Sequence, residues 1–252
     1  MSGHHLHGHG AGTVNGAPRV ATVGDITELA SYYAEPPQGV RVNMIFSADG
    51  AATFGGRVGP LSGEIDQQLL EILRGFADVV LVGAGTARAE NYAPVRLTET
   101  QQAHRHRAGR TQPPPIAVIS RTGALPPTLV SNPNQPPLLV TCAEPPVPHD
   151  LGGNQRCGVL VAGQASVDVV QAIALLRAHG LSRVLCEGGP TLLDDLVNAD
   201  AVDELCVTMA PKLAAGQPMG QRRQPSQLPV PATLRLAHAL NHDDYVFLRY
   251  RR

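Results

Sequence analysis

Residues 78–83, Asp-Val-Val-Leu-Val-Gly, are apolar at every position between the aspartate and the glycine. A strand with one wet face alternates apolar and polar side chains. A short run without alternation is covered on both faces, as inside a parallel sheet. Parallel neighbours need a crossover, normally a helix. This one run therefore predicts alternating strands and helices, and the flanking sequence follows suit.

Val40–Phe46 alternates and ends at Ser-Ala-Asp-Gly, where Asp49-Gly50 makes a turn. Ser62 is placed as an N-cap, with Glu64 and Asp66 in the first turn of a helix. Ile65, Leu69, Leu70, Ile72, Leu73 and Phe76 then recur at helical spacing. Pro115–Ser120, Pro137–Thr141 and Gly158–Gly163 read as further strands. A second helix runs from Ser166 as N-cap to Arg177, with Gly180 at its C′ position. Ser182–Gly189 is a strand and turn, Thr191–Val197 a helix and Val202–Ala210 a strand. Leu234–Leu240 and Asp244–Arg251 close the chain as an antiparallel pair. The expectation is an α/β fold: a mixed sheet, mainly parallel, with an antiparallel C-terminal edge and helices on both faces. Residues 1–38, rich in Gly, His and Pro, read as a flexible leader, and 39–252 as a single domain. The basic stretch Arg96–Arg110 reads as a solvated loop.

At 252 residues, with 43% hydrophobic and 16% charged residues, the chain can build a full core. A net charge of −1 gives no basic bias toward nucleic acid, and no apolar run is long enough for a bilayer. Cys142, Cys157, Cys186 and Cys206 form no CxxC pair and read as thiols of a reducing compartment, which implies a cytoplasmic enzyme. The stretch His4–Gly10 carries imidazoles, but a leader explains it, and no metal is assigned to the remaining histidines.

Two glycine turns follow buried strands. Gly83-Ala84-Gly85-Thr86-Ala87 leads into Arg88, so the third small residue of a Rossmann fingerprint is missing, and no acidic residue ends a strand about twenty residues on. The second turn is Glu187-Gly188-Gly189-Pro190-Thr191. Its glycines permit close backbone approach, and Pro190 suits a helix N-terminus whose free N–H groups attract phosphate. Two such turns suit an extended nucleotide gripped from two sides; two tight connections are the alternative.

The segments "FSADG", "ADVVLVGAGTARAENY", "VLCEGGPTLLDDLV" and "VDELCVTMAPKLAAG", in this order, resemble the C-terminal reductase domain of RibD-type riboflavin biosynthesis proteins in its stand-alone form. The resemblance covers about residues 40 to 250. It implies a dihydrofolate-reductase-like fold, NADPH as hydride donor, a homodimer, and reduction of 5-amino-6-(5-phosphoribosylamino)uracil. The zinc deaminase of the full-length proteins needs H-x-E and P-C-x-x-C, which do not occur here. The resemblance places Gly83, Gly85 and Thr86, with Gly188, Gly189, Pro190 and Thr191, on the cofactor. It places Ser120 and Arg121 at its 2′-phosphate. Arg74 and Arg96, with Asp49, fall on the substrate side. Glu187 faces the substrate, and Glu90 stands where the family has an aspartate near the reacting ribose. Either glutamate is a candidate for the catalytic acid, Glu187 carrying more weight because a strand end fixes it. Departures gather around the pocket. Val58, Pro60, Leu61 and Ser62 replace a segment that holds a serine and a tryptophan in the family, and Ala48 replaces leucine in "SLDG". Those changes leave a dihydrofolate or other pterin substrate, or a non-catalytic nucleotide-binding role, as alternatives.

Overall fold

A computed structural model of the chain describes residues 19–144, 157–215 and 227–252. The histidine-rich stretch His4–Gly10 lies outside them. Ten strands and six helices occur among the described residues. They follow the order β1 (Arg19–Thr22), α1 (Ile26–Ser31), β2 (Val40–Ser47), α2 (Glu64–Phe76), β3 (Val79–Gly83), α3 (Ala84–Ala89), α4 (Glu99–Arg107), β4 (Ile116–Ile119), β5 (Leu138–Thr141), β6 (Gly158–Val161), α5 (Val169–Ala178), β7 (Val184–Cys186), α6 (Pro190–Asn198), β8 (Glu204–Ala210), β9 (Arg235–His242) and β10 (Tyr245–Arg251).

One sheet holds all ten strands in the order β1-β9-β10-β8-β2-β7-β3-β4-β5-β6. From β8 to β6 every neighbour is parallel. β10 runs antiparallel to both β8 and β9, so the expected mainly parallel sheet with an antiparallel C-terminal edge is what forms. The β9–β10 hairpin turns at Asp243 and Asp244, both with positive φ (45° and 65°), which matches the twist of the flanking strands.

The non-alternating run behaves as its composition requires. Val80 and Val82 enter one core with α1, α2 and α3, and Val79 and Leu81 enter the other with α5 and α6. Helices therefore cover both faces. In α2, Ile65, Leu69 and Leu73 fall on one stripe four residues apart and are all buried. Each such side chain contributes about 1.5–3 kcal/mol of burial.

Three local expectations are corrected. The N-cap of α2 is Gly63, not Ser62, whose hydroxyl instead donates to Asp66 at 2.5 Å. Any Cβ at Gly63 would stand 2.5 Å from the Tyr245 hydroxyl, so the closeness of β10 selects glycine there. Asp168, not Ser166, caps α5, accepting from the Val170 and Gln171 N–H groups. Gly180, with φ of 77°, ends that helix as expected. The stretch 96–110 is not simply a loop but contains α4. Thr98 and Gln101 form a reciprocal capping box, and the buried Arg105 guanidinium donates to the carbonyls of Gly75, Ala77 and Gln112.

Within the stretch expected as a leader, residues 19–38 belong to the fold. Residues 19–22 pair with β9, and Leu29 of α1 is fully buried. The connector after α1 is clamped by two arginines of the sheet. Arg41 donates to the Tyr33 carbonyl, and Arg249 to those of Tyr32 and Glu35. Both guanidinium groups share the Glu204 carboxylate, 1% exposed, with Arg251. Such a pattern of tertiary bonds leaves no trace in local periodicity.

Candidate active site

β7 is inserted between β2 and β3, and this placement organises the site. The chain leaves β3 toward α3 on one face and leaves β7 toward α6 on the other. The carboxyl ends of adjacent strands whose connections depart to opposite faces form the crevice where ligands of open α/β sheets bind. Both glycine turns stand there, and they touch. The Gly83 N–H donates to the Gly188 carbonyl at 3.0 Å. Gly188 and Gly189 have φ of 84° and 82°, a region that disfavours any side chain. A Cβ on Gly189 would lie 3.0 Å from the Thr86 hydroxyl, and one on Gly188 3.0 Å from the Met44 sulfur. Gly85, by contrast, faces open space. Pro190 is the first residue of α6, and Thr191 beside it is exposed. Seven of the nine residues placed on the cofactor by resemblance thus converge on one crevice.

Beside the turns, Glu187 accepts three hydrogen bonds. Arg74 Nε reaches Oε1 at 2.7 Å, Arg74 Nη2 reaches Oε2 at 2.6 Å, and the Tyr92 hydroxyl reaches Oε2 at 2.7 Å. The Glu187 side chain is 3% exposed and that of Arg74 21%. The guanidinium also lies over the Tyr92 ring, 5.5 Å from its centroid. Burial and the Glu187 charge push the Tyr92 phenol well above its ordinary range, so it keeps its proton. Burial alone would lower the pKa of the Arg74 guanidinium, but the charge and hydrogen bonds of Glu187 outweigh it and the net shift is upward. The trio fixes a cation at the rim, with both oxygens of Glu187 engaged as acceptors. The sequence alone assigns Tyr92 no role. It ends the motif "AENY", but nothing local points to a partner 95 residues away.

The remaining candidates are distributed otherwise. Glu90 caps the end of α3, and its Oε1 accepts from the Val58 N–H at 2.8 Å. Asp49 forms the predicted Asp-Gly turn, Gly50 having φ of 87°. Its carboxylate accepts from the Ser47 hydroxyl and the N–H groups of Ala214 and Ala215, which hold its pKa below the usual range. It ties two loops together and does not join Arg74 and Glu187. Ser120 is buried after β4, and its hydroxyl accepts from the Gly123 N–H at 3.1 Å; Arg121 beside it is exposed. Arg96 is exposed ahead of α4 and makes no ion pair among the described residues. An open cleft of about 270 Å³ lies at the opposite, amino edge of the sheet, lined by Phe76, His104, Arg110 and Arg183 among others. None of the glycine-turn residues lines it, so chemistry rather than cavity size locates the site.

Residues 38–247 match the RibD C-terminal domain family. The chain is 28% identical over 179 residues to the 2,5-diamino-6-ribosylamino-4(3H)-pyrimidinone 5′-phosphate reductase of Methanothermobacter thermautotrophicus, covering 71% of this chain and 80% of that protein. The enzyme of the same description from Archaeoglobus fulgidus is 25% identical over 180 residues, 71% and 82% of the two chains. A pyrimidine reductase-like protein of Corynebacterium diphtheriae superimposes with a TM-score of 0.76 at 27% identity, over 88% of this chain and 93% of that one. RibD of Acinetobacter baumannii shares the fold, with a TM-score of 0.64 at 21% identity, over 86% of this chain and 58% of its own.

Proposed function

The chain belongs to the RibD C-terminal domain family, and from that premise we propose that it is an oxidoreductase of riboflavin biosynthesis that reduces a phosphoribosylaminopyrimidine with NADPH. The single observation that carries the cofactor reading is the Gly83–Gly188 hydrogen bond, which joins the two glycine turns at the switch point. Around that bond, the free N–H groups at the start of α6 and the open side of Gly85 fit a dinucleotide laid across both turns. Arg121, exposed beyond β4, supplies a cation for a 2′-phosphate, while Ser120 shapes the turn that presents it.

When bound, a dihydronicotinamide supplies the hydride. The protein's own contribution is positional. The ribosylamino substrate needs its imine carbon held near contact distance, and such positioning is worth up to about 7–11 kcal/mol. Arg74 serves that end. Glu187 takes its Nε and Nη2 donors, which leaves Nη1 to meet an oxygen of the substrate with the fork already oriented. Tyr92, neutral and bonded to Glu187, closes the other side of the carboxylate. Arg96, exposed on the chain leading into α4, adds a second cation for the phosphate. The active unit in this reading is a homodimer.

Nicotinamide fluorescence titration with NADPH and NADH tests the cofactor, followed by addition of the pyrimidine ribotide in its 2-amino and 2-oxo forms, with dihydrofolate as comparison. Tighter NADPH than NADH binding and oxidation by one of the ribotides are expected. Oxidation by dihydrofolate alone would move the chain to a pterin substrate, and no nicotinamide binding would overturn the reading.

A further inference from the structure

The link between β2 and α2 folds back on itself at Phe54 and Arg57. Phe54 and Arg57 exchange backbone hydrogen bonds at 2.9 and 3.2 Å, and Gly55 and Gly56 between them have φ of 60° and 78°. This is a two-residue hairpin with both central residues in the left-handed region, a stiff tip on a long loop. Phe54 at its corner is 51% exposed, in a chain with four phenylalanines and no tryptophan. The loop stands at the carboxyl edge of the sheet, because it begins where β2 ends. It is pinned on both sides: Lys212 donates to the Pro60 carbonyl, and Asp49 binds Ala214 and Ala215. The pin nearest the hairpin is Glu90, which accepts from Val58, one residue past Arg57. Glu90 in turn donates its own N–H to the Thr86 carbonyl and ends the helix that starts in the first glycine turn. A continuous path of backbone hydrogen bonds and one carboxylate therefore links the hairpin to Thr86, which abuts Gly189.

From this path we infer that Glu90 is a positioning residue, not an acid: it fastens the hairpin to α3 so that Phe54 forms an aromatic wall at the mouth of the crevice. The ligand chemistry that recognises such a wall is a flat heteroaromatic ring, which stacks on or abuts a phenyl face. Nicotinamide and the pyrimidine both qualify, so the inference rests on the proposed function, through its cofactor for the first ring and its substrate for the second. Glu90 needs only an acceptor oxygen to do this, whereas an acid needs an exchangeable proton, and the two roles separate on substitution by glutamine.

Four variants test the inference: F54A, E90A, E90Q and F54A/E90A. Dissociation constants for NADPH are read by fluorescence, steady-state kcat and KM with the ribotide by absorbance, and folding by thermal melting. F54A is expected to weaken the ring that it abuts about tenfold, in the cofactor's dissociation constant or the ribotide's KM, which identifies the ring. E90A is expected to do the same, and F54A/E90A no worse than either alone, since both remove one wall. E90Q retains an acceptor for Val58 and is expected to recover to within about threefold of the parent with its pH–rate profile in place. An E90Q variant as impaired as E90A, with the acidic or basic limb of that profile lost, overturns the inference in favour of proton transfer by Glu90. F54A with both constants unchanged overturns it from the other side. If the parent turns over no ribotide yet binds NADPH, the substrate reading fails and the wall is judged on NADPH affinity alone. A parent that binds neither ring overturns both.

Discussion

The Arg74 guanidinium and the Glu187 carboxylate meet through two parallel bonds of 2.7 and 2.6 Å, joining the last turn of α2 to the first residue after β7. Removing one partner leaves the other charge buried and unpaired, which typically costs about 3–5 kcal/mol. R74M is therefore expected to lose about 3 kcal/mol of stability in urea unfolding and to abolish turnover. R74M/E187L, which removes both charges, is expected to recover most of the stability and none of the turnover. A single R74M variant within about 1 kcal/mol of the parent would show that the pair is a substrate-facing contact without structural weight.

Glycines 85 and 189 carry opposite burdens, though both lie in the proposed cofactor crevice. G189A puts a side chain at a φ of 82° and a Cβ 3.0 Å from the Thr86 hydroxyl, so it is expected to cost about 1–3 kcal/mol and to lower NADPH affinity as Thr86 is displaced. G85A meets nothing within 4 Å and lies inside α3, where alanine is favoured over glycine by about 0.5–1 kcal/mol. Its melting temperature is expected to hold or rise while NADPH affinity falls at least fivefold, because the new methyl occupies the ligand's side of the turn. Unchanged affinity in G85A would remove the first turn from the cofactor site.

Much of this arrangement is legible before any coordinates. The run Val79–Val82 announces its two-sided burial, and the glycine pairs announce turns, because both signals are local and survive in composition. α4 carries a cap signal, Thr98-x-x-Gln101, inside a charged stretch that reads as a loop, and the helix owes its place to Arg105, which bonds the Gly75 and Ala77 carbonyls across the fold. What the sequence hides are pairings between distant elements. The connector after α1 is held by Arg41 of β2 and Arg249 of β10, and Tyr92 finds Glu187 across 95 residues. Asp49 shows the converse: its turn was foreseen, while the use of its carboxylate on the loop at 214–215 depends on the register of β2 against β8.

Cofactor choice is expected to depend on Arg121. Its side chain is exposed after β4 and free of any ion pair among the described residues, so it is available to a 2′-phosphate, and a charge-assisted contact of that kind is worth about 1.5–3 kcal/mol. R121Q is expected to raise the NADPH dissociation constant at least tenfold and leave NADH within twofold, with no change in melting temperature. Equal losses for the two cofactors would mean that Arg121 shapes the loop rather than reads the phosphate.

The last expectation concerns pH and a residue remote from the crevice. His238, 2% exposed, packs edge-on against Tyr32 and Tyr33 with ring centroids 5.5 and 4.9 Å away, and its Nε2 has no hydrogen-bond partner. Burial pulls its pKa down to about 4; the Glu204 charge opposes this, and Arg251 and Arg41 reinforce it. The unfolded chain binds this proton with an ordinary pKa near 6.5, so between about pH 6.5 and 4 it holds more protons than the folded one. Stability from this group is thus complete above pH 6.5 and drains as pH falls toward 4, by about 2–3 kcal/mol at pH 4.5. H238F keeps a ring between the two tyrosines and has no proton to take up. Urea unfolding of parent and H238F at pH 7.5 and 4.5 is expected to show the parent losing about 2–3 kcal/mol more than the variant over that interval. Equal losses would mean that the folded protein accommodates a charged imidazole beside Glu204, and that the Tyr32–Tyr33 pocket admits water.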